Sequence, residues 1–310
     1  MSLDTDKLME RRRQRRSSML WKVVAALSIT ALVAVLVIRT VGTDTDLASQ
    51  LGSKDRIARV TVQGVIVEDR YRDELLAELK DDDDVKAVVV RINSPGGTVV
   101  GGENLYLALR DIAKDKPVVA VMGSTATSAA YMTAIGADRI FARRGTLTGS
   151  IGVIMQTADL TKMLDKIGVK PETIKSGVLK AQPNPMESMS EEARKHIQTV
   201  VMDMYDLFVS MVSERREMDL EAVKKIADGR VFIGEKAIDA GLIDAIGGEV
   251  EAVAWLESEK ELEADLDIVD EKPDYPRPDF AERLLGSFGK VLVSERLKLD
   301  GLLSVWQPDL

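Results

Sequence analysis

Cysteine is absent from this chain of 310 residues, and histidine occurs only once, as His196. The lack of cysteine excludes both a disulfide framework and catalysis by a thiolate. A serine-histidine-aspartate triad is left with one candidate base, and that histidine lies in a segment predicted to be a polar helix. For a nucleophilic hydrolase, a serine activated by a neutral lysine is the remaining economical arrangement.

Aromatic residues are also scarce, at 4% of the chain, although 45% of the residues are hydrophobic. The core is therefore predicted to consist of Val, Ile, Leu, Ala and Met, and the chain is long enough to form one. Acidic residues outnumber basic ones by 51 to 42. This balance does not favour a nucleic-acid partner, because such binding depends on basic patches.

The N-terminal region combines a basic tail with one long apolar run. Residues 1–19 contain the cluster Arg11–Arg16 and are predicted to be a cytoplasmic tail. Residues 20–38 are predicted to be a transmembrane anchor, since about 19 residues nearly span a hydrocarbon core of about 30 Å. Because basic flanks stay inside, the rest of the chain is predicted to lie outside the cytoplasm, bound to the membrane.

Two alternatives to an anchor depend on cleavage of the apolar run. A cleaved signal peptide would need small residues after the run, and the stretch from Arg39 to Thr43 lacks the small-x-small pattern. The pair Arg15-Arg16 also permits a twin-arginine signal. The uncleaved anchor is the interpretation that the residues favour.

The rest of the chain is divided into a linker at 39–55, a single domain at 56–260 and a C-terminal extension at 261–310. Strands are predicted at Arg59–Val67, Lys86–Ile92, Lys116–Met122, Arg139–Ala142, Val153–Ala158 and Glu172–Lys175. Helices are predicted at Asp73–Lys80, Val99–Ala113, Ser128–Ala137, Ser190–Arg216, Leu220–Ala227, Gly234–Ala240, Glu249–Lys260 and Phe280–Leu303. The alternation predicts an α/β fold with mostly parallel sheets flanked by helices.

Ser128 is the candidate nucleophile, because it stands at a predicted helix start after a buried strand. Taken alone, it is more simply a helix N-cap, and Ser124, Thr125 and Thr127 compete for either role. The turn Ser94-Pro95-Gly96-Gly97 offers backbone N–H groups that no side chain blocks, although such a turn is common.

Lys180 is the candidate base, and it must be desolvated to be neutral near pH 7. The apolar Val178 and Leu179 before it permit burial, although a lone lysine is more often at the surface. Ser150 is placed to orient this lysine, or is a plain turn serine between glycines. The run Asp81–Asp84 is predicted to be a solvated helix end or turn, since metal loops space their ligands. No metal and no cofactor are predicted.

Together these motifs resemble one known family. Asn93–Gly97, Met122–Tyr131, Leu147–Val153, Ile174–Gly177 and Gly229–Asp244 occur in an order and at a spacing similar to those of the signal peptide peptidase A family, the S49 serine peptidases, in its short form. The resemblance implies Ser128 as nucleophile, Lys180 as general base, Ser150 as the serine that orients the lysine, and the Gly97 and Ala129 amides as oxyanion donors.

The resemblance further implies a ClpP/crotonase-like layered fold and a homo-oligomeric ring, an octamer in studied short forms, with active sites shared between subunits. It implies a bacterial inner-membrane protein whose catalytic domain faces the periplasm or cell exterior. The substrates would be signal-peptide remnants and other short or unfolded apolar peptides. The chain departs from the family pattern at Ala129-Ala130, where two glycines are usual, and at Ala181, where an acidic residue is usual.

Two other functions remain open at this point. A crotonase-type acyl-CoA enzyme would have similar oxyanion glycines, but a periplasmic compartment has no supply of coenzyme A. A catalytically silent membrane scaffold would use the ring for assembly alone, and labelling by a serine-directed phosphonate would separate it from a peptidase.

Overall fold

The computed structural model describes residues 55–275 and 302–305, and of the last four only the backbone is described. The chain divides into two compact units, Met1–Lys54 and Asp55–Leu310. The predicted tail, anchor and most of the linker therefore lie outside the described residues. Within the described part of the chain, no helix is both long and apolar enough to cross a bilayer.

Ten strands and eight helices make up the described part of the second unit. The strands are β1 (Arg56–Ile66), β2 (Val85–Thr98), β3 (Val118–Thr127), β4 (Arg139–Ala142), β5 (Leu147–Gly149), β6 (Ile154–Met155), β7 (Val231–Ile233), β8 (Ala245–Ile246), β9 (Asp267–Glu271) and β10 (Leu302–Val305). The helices are α1 (Arg70–Asp81), α2 (Val99–Ile112), α3 (Ala129–Ala134), α4 (Thr161–Lys166), α5 (Glu191–Arg215), α6 (Leu220–Ile226), α7 (Gly234–Asp239) and α8 (Glu249–Glu259).

All ten strands belong to one mixed sheet, which is parallel at its centre. Strands β9, β1, β2, β3, β4 and β8 lie side by side in that order, each parallel to its neighbour. Strand β5 continues this parallel pairing beside the end of β3 and pairs antiparallel with β7. Strand β10 is antiparallel to both β2 and β6. The predicted α/β class with a mostly parallel sheet is confirmed.

Helices cover both faces of the sheet, because the central strands are apolar on both sides. In β2, Val88 and Val90 pack into a large cluster with α1, α2, α3 and α5. Val89, from the same strand, packs on the opposite face against Leu256 of α8. Such a strand has no polar face, which is why it appears in the sequence as a continuous run of apolar residues.

Several predicted elements occur close to their predicted bounds, including β1, α2, β4 and α5. Helix α5 begins where the sequence indicates, with the Ser190 hydroxyl accepting a hydrogen bond from the Ala193 N–H at 3.1 Å. The acidic run Asp81–Asp84 is a helix end and turn, as predicted, and Asp82 within it pairs with Arg56 at 2.8 Å.

The structure differs from the predictions at several elements, and β5, β7, β8 and α4 are among those that were not predicted. The predicted strand Glu172–Lys175 is absent, and Ile174 within it is 96% exposed, because no neighbouring strand pairs with this backbone. The predicted strand Val153–Ala158 shrinks to the two residues of β6. Strand β9 was not predicted and extends the sheet beyond residue 260. Most of the predicted helix Phe280–Leu303 lies outside the described residues, and its last two residues belong to β10.

Candidate active site

Ser128 lies between β3 and α3 in a strained backbone conformation. Its φ is +60° and its ψ is −123°, and the residue is 1% exposed. A positive φ in a residue with a Cβ costs about 1–3 kcal/mol, and such residues concentrate at functional sites. Its hydroxyl does not cap the helix that follows, so the plain N-cap interpretation is wrong.

The glycine-containing segment next to Ser128 is an extension of β2. The sequence suggested a turn, but the strand continues through Ser94 to Thr98, where the Ser94 hydroxyl accepts the Gly96 N–H at 3.0 Å. The Thr127 hydroxyl donates to the Pro95 carbonyl at 3.0 Å, which joins this segment to the residue before Ser128.

Gly97 is required by the close approach of β1. A Cβ on Gly97 would lie 1.7 Å from the carbonyl oxygen of Ile66, its partner across the strand pair. Any other residue would push β1 and β2 apart at the point where β2 passes Thr127 and Ser128. Gly97 therefore allows the two strands to approach closely. Because it has no side chain, its own N–H, which is the proposed oxyanion donor, stays accessible.

Ala129 is the first residue of the short helix α3 and is fully buried. A Cβ on Gly102 of α2 would lie 3.0 Å from the Ala129 Cβ, so a glycine in α2 lets that helix approach the start of α3. Two residues later, the hydroxyl of the buried Tyr131 donates a hydrogen bond to the Leu242 carbonyl at 2.9 Å. Burial raises the pKa of Tyr131, so its phenol stays protonated and remains a donor.

Ser150 lies beside Ser128 because β5 pairs with the end of β3. Thr127 is paired with Gly149, and the Ser128 N–H donates to the Gly149 carbonyl at 2.8 Å. Ser150 itself has a φ of +50° and is 8% exposed, and its N–H donates to the Arg230 carbonyl at 2.8 Å. The structure thus brings both candidate serines to one buried point.

Lys180, in contrast, lies on an exposed turn, where its N–H donates to the Gly177 carbonyl at 3.1 Å. The expected burial of this lysine does not occur within the single chain, because Val178 before it is 67% exposed. The lysine belongs to a segment, residues 154–190, in which no residue is buried. We call this segment the lysine arm.

The lysine arm is exposed but internally ordered by hydrogen bonds. The ammonium of Lys175 pairs with the Glu187 carboxylate, which also accepts the side-chain amide of Asn184 at 2.9 Å. The hydrogen bond from Lys175 is the largest cause that lowers the pKa of Glu187. These contacts close the loop that carries Lys180 and hold its ends together.

Strand β10 lies beside the glycine segment, at a place that the sequence did not indicate. Ser304 is paired with Gly97 and Leu303 with Thr98, while Leu303 also pairs with Ile154 of β6. An extended segment of the chain therefore fills the gap between β2 and β6. This gap is a cleft in which the backbone of β10 is held by strand pairing on both sides.

The other candidates from the sequence lie elsewhere. His196 is exposed on α5. Ser124 is exposed in the irregular part of β3, and the Thr125 N–H donates to Asn93 Oδ1 at 3.2 Å. Thr127 is buried and has the structural role described above. Asn93 and Tyr131 had no predicted role, although both lie in the motifs that carry the resemblance. Within the described residues, no group of three or more carboxylate or histidine side chains is placed to hold a metal ion.

This geometry defines a class of protein: a mixed α/β fold in which a strained, buried serine lies between a helix start and a glycine-containing strand. The profile of Peptidase family S49 matches residues 110–263. A protein of Enterococcus faecium named "Putative signal peptide peptidase SppA" is 36% identical over 272 residues, covering 82% of this chain and 78% of its own. A protease of Synechocystis sp. is 37% identical over 236 residues, covering 76% of this chain and 84% of its own.

Among solved structures, a mutant of the 1510-N membrane-bound stomatin-specific protease matches with a TM-score of 0.48 and 12% identity, covering 72% of this chain and all of that one. The sequence relatives alone decide the assignment, since two of them exceed 30% identity over most of both chains. The chain belongs to peptidase family S49.

Proposed function

We propose that this protein is a membrane-anchored serine endopeptidase that uses Ser128 as nucleophile and Lys180 as general base. The observation that carries the proposal is the backbone of Ser128, strained at φ +60° and buried beside Gly149 and the Pro95–Gly97 strand. A structural serine has no need of this conformation, whereas a nucleophile at a sharp strand-to-helix junction does.

The proposed reaction follows the order of an acyl-enzyme mechanism. Neutral Lys180 takes the proton of the Ser128 hydroxyl as Oγ attacks the scissile carbonyl, and the N–H groups of Gly97 and Ala129 stabilise the oxyanion. Lys180 then donates that proton to the leaving amine. Water attacks the acyl ester and gives its proton to Lys180, which returns that proton to the Ser128 Oγ as the peptide acid leaves, so both groups are restored. Ser150 accepts or donates a hydrogen bond that orients the lysine.

Because Lys180 is exposed in the single chain, the active site is proposed to form between subunits of a ring with a ClpP/crotonase-like fold. The lysine arm carries several large exposed apolar side chains, namely Ile154, Met163, Ile167, Val169, Ile174, Val178 and Met186. Burial of this surface against a second copy would also desolvate the lysine, and desolvation favours the neutral form that a base requires.

The substrates are proposed to be signal peptides left in the membrane and other short or unfolded apolar peptides. Strand β10 supports a peptide substrate, because it fills the cleft beside Gly97 in the extended form that a substrate would take. The anchor at residues 20–38 and a periplasmic or extracytoplasmic location would keep the cleft near such peptides.

The proposal is tested by covalent labelling. A peptidyl phosphonate should add its mass to the intact chain, and peptide mapping should place the label on Ser128. The Ser128→Ala variant should take no label, whereas the matched variant Ser124→Ala, on the exposed part of β3, should be labelled like the parent. An unlabelled parent chain would instead support a silent scaffold.

A further inference from the structure

Two arginines whose side chains form no hydrogen bond or ion pair within residues 55–275 line one cavity of this fold. Most arginine side chains within residues 55–275 form an ion pair, a hydrogen bond or a contact with an aromatic ring. The exceptions among the described residues are Arg91, Arg143 and Arg194. Of these, Arg91 and Arg143 come from β2 and from the loop after β4, yet they face the same cavity.

The cavity has a volume of about 570 Å³ and lies where the regular parallel pairing of β1, β2 and β3 ends, beside the register irregularities after Gln63 and Ile92. It opens on the face of the sheet that carries α8, so we call it the α8-side cavity. Its polar lining consists of Gln63, Arg91, Asn93, Ser124, Arg143, Thr146 and Glu249. Ligands of α/β sheets bind outside the carboxyl ends of parallel strands, and cavities of about 300–1,000 Å³ accommodate small molecules.

The nearby carboxylates are already engaged by other groups. Asp270 receives two hydrogen bonds from Arg59, at 2.6 and 2.9 Å, and Glu249 receives a third from the same guanidinium at 2.8 Å. Glu251 accepts the Gly248 N–H at 2.6 Å, which caps α8. Arg91 also interacts electrostatically with Asp270, and Arg143 with Glu251. Within residues 55–275 neither guanidinium donates a hydrogen bond to these carboxylates, so the N–H donors of both arginines remain for another group.

Neutral donors stand next to the two arginines. Asn93 uses its Oδ1 to accept the Thr125 N–H at 3.2 Å, which directs its amide N–H groups away from the backbone. The Ser124 hydroxyl is exposed at the same edge. The guanidinium of the exposed Arg143 lies against Gly248, where a Cβ would come within 2.4 Å of its Nη2.

We propose that the α8-side cavity is a binding site for an anionic ligand, recognised through carboxylate or phosphate oxygens by Arg91 and Arg143 with help from Asn93 and Ser124. Arginine forks suit such groups because they donate two parallel hydrogen bonds to them. Because two separate guanidinium groups line the cavity, we expect the ligand to carry more than one anionic group. A small polycarboxylate and an acidic peptide segment both supply this chemistry. The site does not depend on the peptidase activity.

The test is calorimetric titration of the full chain in a non-ionic detergent at constant ionic strength. Citrate and an acetylated Glu-Asp-Glu amide are the two probes, and Arg91→Gln, Arg143→Gln and Arg144→Gln are the variants. Arg144 is the matched control, since it is adjacent in sequence but its side chain is 77% exposed and lies 3.8 Å from Glu235. We expect each of the first two variants to weaken binding at least tenfold and the control to leave it unchanged.

The outcomes separate the two sources of the anion. Binding of citrate alone identifies a small free polycarboxylate, and binding of the peptide alone identifies an acidic segment. Circular dichroism checks folding, and Arg91→Lys, which keeps the charge but loses the fork, should weaken binding less than Arg91→Gln. The proposal is overturned if neither probe binds below millimolar concentration, or if Arg144→Gln loses as much affinity as Arg143→Gln.

Discussion

Ser128 holds its conformation because three neighbouring segments fix it from different sides. Its N–H is bonded to Gly149, Thr127 before it is bonded to Pro95, and the Met132 N–H after it donates to the Ser128 carbonyl at 2.9 Å. The strain at φ +60° is therefore maintained by the fold and does not depend on the hydroxyl. A change of the hydroxyl alone should affect chemistry and leave the structure intact.

The first prediction concerns the proposed dyad. Ser128→Ala and Lys180→Ala should each lower peptide hydrolysis by about 10⁴-fold or more, because both groups act in one proton transfer. The double variant should be no worse than either single variant. Turnover of a fluorogenic peptide measures the effect, and circular dichroism confirms that each variant is folded. Full activity in either single variant would exclude the dyad.

The second prediction is the pH profile. A lysine base works only after it has lost its proton, so kcat/KM should rise as pH increases through the alkaline side of neutrality. His196→Gln should leave both the rate and the profile unchanged, since His196 is exposed on α5. Initial rates measured from pH 6 to 10 for both proteins provide the check. A large loss of rate in His196→Gln would point to a histidine mechanism.

At the scale of elements, the sequence was most informative where the residues of a single strand or helix are enough to identify it. Strand β2 is apolar on both faces, and α5 has an N-cap serine and acidic residues in its first turn. Such signals are local, so they can be read without knowing the neighbours. The motifs around Ser128 and Gly97 were found for the same reason.

The elements that were missed depend on distant partners. Strand β9 has charged residues at three of its five positions and exists because β1 offers it an open edge. Glu172–Lys175 has the residue types of a strand but no edge to join. The exposure of Lys180 is also a tertiary property, since none of the described residues covers it and Val178 before it is likewise exposed.

The third prediction concerns β10, whose backbone fills the cleft between β2 and β6. Leu303 pairs with Thr98 on one side and Ile154 on the other. Because proline has no N–H, Leu303→Pro removes a ladder hydrogen bond and should free the cleft. We expect peptide hydrolysis to become several-fold faster than in the matched variant Leu303→Ala. An equal rate in the two variants would mean that β10 does not compete with the substrate.

At the scale of the whole molecule, the fourth prediction is the topology. The cluster Arg11–Arg16 should hold the N-terminus in the cytoplasm, and the run Leu20–Ile38 should remain uncleaved. External protease added to spheroplasts should remove a C-terminal tag and leave an N-terminal tag on a small membrane fragment. A protected C-terminal tag would place the active site in the cytoplasm. A soluble product that begins after Ile38 would show a cleaved signal.

The lysine arm provides an argument for assembly. Its exposed apolar residues would be stabilised by a surface that covers them, and the proposed mechanism requires a lysine close to Ser128. In the single chain, the arm exposes Ile174 almost completely, while Ser128 is buried and Lys180 is exposed. Contact between the arm of one subunit and the serine pocket of the next would satisfy both. Cyclic assembly through such a head-to-tail contact gives closed rings.

The last prediction follows from that arrangement. If Ser128 and Lys180 meet across subunits, two inactive variants should restore each other: a Ser128→Ala subunit supplies the lysine and a Lys180→Ala subunit supplies the serine. Co-expression in equal amounts should place both intact groups at about a quarter of the sites, if subunits mix at random in a closed ring. Peptide turnover of the co-purified assembly, with differently tagged subunits, measures this fraction. Each variant alone is the control, and a mixed assembly as inactive as its components would show that both groups come from one chain.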